Sequence, residues 1–249
     1  MNESLPIELF SDDVFFVSYP KSGRTWLRFL IGNYLSANVL DFPDSYQDLV
    51  TDIDANPLQA SQVCRPRFIT SHRPFTSAYN RVLYVVRDGR DVAVSYYFHL
   101  LKFKVLTKET KFEDFVRRIF DIALYGNITW SNHVNLWLDN APSDFLLLRY
   151  EDIQGNTVDA LTRILEFAGL SVDRKTVIAS VEASKFEKLQ EYERVQERIN
   201  YKDIKDSDFS IKFFRSGQIG EYKKFFDDKL LGDFLKVHGS ALERLGYLT

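Results

Sequence analysis

Two clusters in this chain carry the residue types that grip anions, and four histidines could move a proton. The first cluster, Lys21-Ser-Gly-Arg-Thr-Trp26, lies between an apolar run, Val14 to Val17, and a helical pattern that begins at Arg24. A strand-to-helix turn presents backbone N–H groups at the positive end of a helix dipole, so the position suits an anion. Gly23 permits close backbone approach, Lys21 brings a mobile charge, and Ser22 and Thr25 bring hydroxyl donors. An ordinary turn with a solvated lysine accounts for the same residues equally well. The cluster is not a Walker A loop, which needs its lysine directly after a second glycine and a hydroxyl for magnesium; Lys21 precedes the cluster's single glycine. The second cluster is Arg87-Asp-Gly-Arg-Asp-Val-Ala-Val-Ser95. With a helix starting near Asp88, Ser95 falls about two turns along, on a face where the long Arg87 side chain can share a ligand. Taken alone, an arginine–carboxylate pair at a helix start is the simpler reading. Two anion sites in succession, with Trp26 and several Tyr and Phe nearby, suit a nucleotide bearing separated phosphates.

The elements that must hold these residues follow from the apolar pattern. Short apolar runs alternating with longer helical patterns predict βαβ units in a parallel sheet, an α/β fold. Strands are expected at Asp13 to Tyr19, Phe68 to Thr70, Val82 to Val86 and Phe145 to Leu148. Helices are expected from Arg24 to about Ala37, from Asp91 to about Phe103, and around Phe112 to Phe120, Ile128 to Leu138 and Val158 to Ala168. From Val172 onward the chain reads as helical or irregular. Gln190 to Ser210 is dense in both charges and lacks a sustained apolar face, and it is expected to be a mobile cover over the site.

With 249 residues and 45% hydrophobic content, one folded domain over 1–249 is expected. A net charge of −3 argues against a generally basic nucleic-acid binder. The average is uneven. Arg65 to Arg90 holds six arginines and one acid, a candidate anion site, while Asp41 to Asp54 holds five aspartates and no Lys or Arg and reads as a solvated loop or helix face. The single cysteine, Cys64, excludes an internal disulfide, and nothing offers a zinc set, so no metal is expected and a reducing, cytoplasmic compartment is favoured. No apolar run approaches the roughly 20 residues of a membrane span, and the first residues lack the pattern of a signal peptide.

At this point a resemblance becomes specific. Tyr19-Pro-Lys-Ser-Gly-Arg-Thr-Trp26 closely resembles the YPKSGTTW element of the cytosolic sulfotransferases, and Tyr84 to Phe98 resembles their second element with the same Arg-to-Ser spacing. Phe214-Arg-Ser-Gly-Gln-Ile-Gly-Glu-Tyr-Lys223 is similar to their RKGxxGxWK segment, Tyr150-Glu-Asp-Ile153 to YEDL and Ser184-Lys-Phe186 to TSF. The resemblance implies a P-loop-kinase-like fold and a donor, 3′-phosphoadenosine 5′-phosphosulfate (PAPS), whose spent form is 3′,5′-bisphosphoadenosine (PAP). It implies that Lys21, Ser22, Gly23, Arg24, Thr25 and Trp26 wrap the 5′-phosphosulfate, with the Trp26 indole against adenine. Arg87, Ser95, Arg215, Ser216 and Gly217 would hold the 3′-phosphate, and Tyr150, Ser184 and Phe186 would frame the adenine.

Among His72, His99, His133 and His238, the segment Thr70-Ser-His-Arg-Pro74 resembles the family's KTHLP, which implies His72 as the general base for a hydroxyl, or less readily an amine, of a small-molecule acceptor. Lys21 would neutralise charge on the leaving phosphate. The other three histidines fall in or beside apolar helical patterns and read as structural. Three departures stand out. Thr70 occupies the position of a family lysine, with Arg24 or Arg73 as substitutes; Ser216 and Tyr222 replace the family's Lys and Trp; and the family's dimer element, KxxxTVxxxE, is not found, which leaves the oligomeric state open. The resemblance leaves no expectation of a membrane anchor ahead of Tyr19. An ATP-using P-loop kinase and a non-catalytic nucleotide-binding module are the alternatives.

Overall fold

A computed structural model of the chain describes residues 7–36, 49–54, 65–120, 128–198 and 207–248. In chain order the elements are β1 (Val14–Ser18), α1 (Arg24–Leu35), β2 (Val50–Asp52), β3 (Phe68–Ser71), β4 (Arg81–Val86), α2 (Gly89–Lys102), α3 (Phe112–Arg118), α4 (Trp130–Asp139), β5 (Asp144–Arg149), α5 (Tyr150–Gly155), α6 (Thr157–Phe167), α7 (Arg174–Ala183), α8 (Phe186–Arg198), a 3₁₀ turn (Glu221–Lys224) and α9 (Asp228–Arg244). The four strands read from the sequence are all present, and the expected helices start or stop within a few residues of the observed ones. Ala37, the expected end of α1, lies outside the described residues.

The chain divides into two compact units. The first, Met1–Val86 with Asn140–Lys185, holds a five-stranded parallel sheet in the order β2-β3-β1-β4-β5. Central β1 is buried along its whole length because parallel strands are covered on both faces. Val14 and Phe16 enter a core with Leu27, Leu30 and Ile31 of α1 and Leu161, Ile164 and Leu165 of α6. On the other face Phe15 stacks on Tyr79 at 3.8 Å. The chain leaves β1 toward β2 and β3 on one side and reaches β4 on the other, so the carboxyl end of β1 is the switch point where parallel sheets bind ligands.

One strand overturns the reading of Asp41 to Asp54 as a solvated segment. Val50–Asp52 pairs in parallel with Phe68–Thr70, because two β-branched residues, Val50 and Thr51, bury themselves against the sheet edge. Residues 41–48 lie outside the described residues.

The second unit, Arg87–Asp139 with Phe186–Thr249, is helical. Asp88 caps α2 by accepting from the Arg90 backbone N–H at 2.9 Å. His238 on α9 places Nδ1 3.0 Å from Ser131 Oγ on α4, and His133 and His238 are buried while His99 is half-buried. Lys102 and Glu193, 2% and 4% exposed, form an ion pair at 3.3 Å. Glu193 also accepts from the backbone N–H groups of Phe213 and Phe214, at 2.5 and 3.0 Å, and the Gln190 amide donates to the Phe214 carbonyl at 2.8 Å. The first part of Gln190 to Ser210, read as lacking an apolar face, is thus continuous helix in α8, with Leu189 and Glu193 buried. Residues 199–206 of that segment lie outside the described residues. Among the described residues no helix is long and apolar enough to cross a membrane, and no cluster of His, Cys, Asp and Glu could hold a metal.

Candidate active site

Beyond Ser18 the backbone turns back on itself, with Lys21 at φ 69° and Gly23 at φ 94°. Gly23 is required twice over: its left-handed conformation is costly for any side chain, and a Cβ there would stand 2.6 Å from Cδ2 of Tyr150. Helix α1 then begins with no side-chain cap and no acid in its first turn. The Ser22 side chain is wholly buried, and its hydroxyl has no hydrogen-bond partner among the described residues. A buried orphan hydroxyl beside an uncapped helix start has the chemical character of an anion site.

Around this cradle the first unit gathers three residues of the expected adenine frame. The Trp26 indole N–H donates to the Ser184 carbonyl at 3.1 Å, and its ring meets Tyr150 edge-on at 5.6 Å. Asn33, which the motifs did not single out, donates from its amide to Ser184 Oγ at 2.9 Å and so fixes that frame to α1. Its spacing of seven from Trp26, two turns along one helix face, was the available signal.

His72 is 6% exposed and lies just past the end of β3. Its Nδ1 is 2.6 Å from the Ser18 carbonyl oxygen. A carbonyl only accepts, so in the neutral ring Nδ1 carries the proton and Nε2 is the accepting nitrogen. Only Tyr19 and Pro20 separate Ser18 from Lys21, so this contact ties the imidazole to the turn that follows β1. Thr70 is fully buried, and its hydroxyl donates to the Thr51 carbonyl at 3.1 Å, a structural task. The two proposed substitutes for the family lysine are both ion-paired: Arg24 with Asp52 at 2.9 Å, and Arg73 with Asp54 at 2.7 Å.

The second unit organises the other arginines. Arg87 follows the last residue of β4 and donates from Nη2 to the Gln218 carbonyl at 3.3 Å. The Asp91 carboxylate accepts from the backbone N–H groups of Gly220 and Tyr222, at 2.7 and 2.9 Å, which pins the Ser216-to-Tyr222 turn to the start of α2. Burial raises the Asp91 pKa, while Arg87 and these two N–H groups pull it down. Arg90 makes the bland pair foreseen for this cluster, with Asp88 at 2.6 Å, and also lies 4.1 Å over the Tyr222 ring. Tyr222 thus keeps the aromatic face that a tryptophan would offer.

Arg215 lies 4.1 Å over Phe98, one turn beyond Ser95, and donates to the Glu221 carboxylate at 2.7 and 2.5 Å. Burial works to raise the Glu221 pKa, but Arg215 outweighs it and the group sits below its ordinary value. Gly217 has φ 63° and faces Phe186, whose ring carbon would be 3.0 Å from an added Cβ. The carboxylates Asp91 and Glu221 were not legible as site residues, because each acts by holding a neighbour.

Comparison with known proteins places these features in one family. The sulfotransferase domain model matches residues 11–246, and the chain belongs to that family. It is 27% identical to sulfotransferase 1E1 of Bos taurus over 86% of this chain and 78% of that protein. It is 28% identical to the 3-beta-hydroxysteroid sulfotransferase of Cavia porcellus over 91% and 82%. Among solved structures, retinol dehydratase in complex with retinol and PAP superposes with a TM-score of 0.72 at 23% identity, covering 96% of this chain and 83% of that one. The α/β sulfotransferase fold implied by the motifs is therefore present.

Proposed function

We propose that the protein transfers the sulfuryl group of PAPS to a hydroxyl of a small, largely apolar acceptor, with His72 as general base. The observation that carries this reading is the 2.6 Å contact from His72 Nδ1 to the Ser18 carbonyl, which sets Nε2 as acceptor at the end of the strand that leads into the cradle. The donor supplies a sulfuryl group on a phosphate leaving group. The cradle from Lys21 to Trp26 binds the 5′ end, with Ser22 donating to a phosphate oxygen and Lys21 neutralising the charge that grows there. Arg87, Ser95 and Arg215 to Gly217 bind the 3′-phosphate, and Trp26, Tyr150, Ser184 and Phe186 the adenine. His72 Nε2 takes the acceptor's proton as the new O–S bond forms and the bond from sulfur to the phosphate oxygen breaks.

The acceptor class rests on the relatives: the guinea-pig protein is named for a hydroxysteroid, and the retinol dehydratase structure holds retinol. Both names point to a largely apolar skeleton that bears a hydroxyl. The test is an acceptor screen with labelled donor, followed by His72→Ala. Transfer should fall at least a hundredfold while PAP binds within about twofold of wild type, and retained transfer overturns the assignment of the base.

A further inference from the structure

β2 is a strand of three residues, yet it delivers two carboxylates, Asp52 and Asp54, to the ends of β1 and β3. The β1–β3 ladder stops at the Val17–Ser71 pair, so from His72 onward the sheet no longer holds the backbone. Asp54 takes over there. One carboxylate oxygen accepts from the His72 backbone N–H at 3.2 Å and lies 3.4 Å from Ser71 Oγ, and the other accepts from Arg73 Nε at 2.7 Å. Three consecutive residues are thus held by one anion, through bonds of the charge-assisted kind. Asp54 is itself fixed, since its N–H donates to Asp52 Oδ1 at 3.0 Å while Asp52 Oδ2 pairs with Arg24 at the start of α1.

We infer that Asp54 is a positioning residue for His72: its carboxylate fixes the Ser71-to-Arg73 segment so that the imidazole keeps Nδ1 on the Ser18 carbonyl and aims Nε2 as acceptor. The inference rests on the proposed role of His72 as base. An imidazole moves with its backbone, and a small displacement of a base costs far more in rate than in ligand affinity. Asp54 therefore governs turnover and leaves nucleotide binding alone. The Asp52–Arg24 pair extends the brace to the cradle, so base and cradle share one anchor on β2.

The test uses the full chain with Asp54→Ala and, as a gentler change, Asp54→Asn, which keeps the shape and loses the charge. Three quantities are read: PAP affinity, kcat for the best acceptor of the screen, and the imidazole 15N shifts of His72 above its titration, identified by the signal lost in His72→Gln. For Asp54→Ala the expected result is PAP affinity within twofold and a kcat lowered about tenfold or more. The two His72 nitrogen shifts should move toward each other as the Nδ1–H tautomer loses its hold. Asp54→Asn should fall between, and it stands alone if the alanine variant does not fold. Unchanged His72 shifts and kcat in the variant overturn the brace while leaving His72 as base. Shifts that respond in an enzyme whose His72→Ala variant still transfers sulfuryl groups uphold the brace and overturn the base.

Discussion

Gly23→Ala tests the cradle at the point where its geometry is most demanding. The substitution adds one methyl, and two costs follow from the structure. Holding an L-residue at φ 94°, ψ 10° costs about 1–2 kcal/mol. The new Cβ would also stand 2.6 and 2.9 Å from Cδ2 and Cε2 of Tyr150, closer than carbon atoms approach one another. Tyr150 is only 7% exposed and its ring is engaged by Trp26, so relieving that contact costs about 1–3 kcal/mol, the range of overpacked cores.

In the nucleotide-free protein the loop can escape by leaving its left-handed turn. Binding must restore it, so the sum of about 2–5 kcal/mol appears as lost affinity, from about thirtyfold to several thousandfold. The assay is calorimetric titration with PAP. A second pair of variants separates the two costs: in a Tyr150→Leu background the contact is gone and only the backbone cost remains, so Gly23→Ala should there weaken binding by only about tenfold. Affinity of Gly23→Ala within twofold of wild type refutes the cradle reading. An equal loss in both backgrounds refutes the steric role of Tyr150.

Arg87→Ala should weaken PAP by tenfold to a hundredfold, the worth of a charge-assisted hydrogen bond of about 1.5–3 kcal/mol, while AMP binding stays within about threefold. Equal losses for the two nucleotides remove its role at the 3′-phosphate. Tyr84, fully buried on β4, has its pKa raised well above the ordinary value by burial. The fold thus favours the neutral phenol: its contribution is complete below the unfolded pKa of about 10 and is lost as pH rises toward the folded value. Denaturant titrations at pH 9 and pH 11 should show Tyr84→Phe losing less stability over that interval than wild type. A parallel loss in both proteins refutes the argument.

The sheet and the left-handed turn after β1 were legible because each depends on residues close together in sequence. A buried strand reads as an apolar run, and the anion turn reads as a lysine, a glycine and two hydroxyls between a strand and a helix. β2 was hidden because it has three residues, one of them an aspartate, inside an acid-rich stretch. A different cause hid the roles of Asp52, Asp54, Asp91 and Glu221. A carboxylate's task is set by the partner that the fold brings to it, and for Asp52 and Asp54 that partner lies on another element.

The six arginines from Arg65 to Arg90 show the consequence. As a sequence cluster they read as an anion site, yet Arg65 pairs with Asp12, Arg67 with Asp13, Arg73 with Asp54, Arg81 with Asp144 and Arg90 with Asp88, while Arg87 donates to a carbonyl. Most of that positive charge is neutralised within the fold, the local counterpart of the small net charge of the whole chain. An arginine already facing a carboxylate must trade one anion for another to bind phosphate, and gains little by the exchange. Arg215 faces that exchange with Glu221. Arg215 should therefore add less to selectivity for the 3′-phosphate than its charge alone suggests, a discount that motif spacing does not contain.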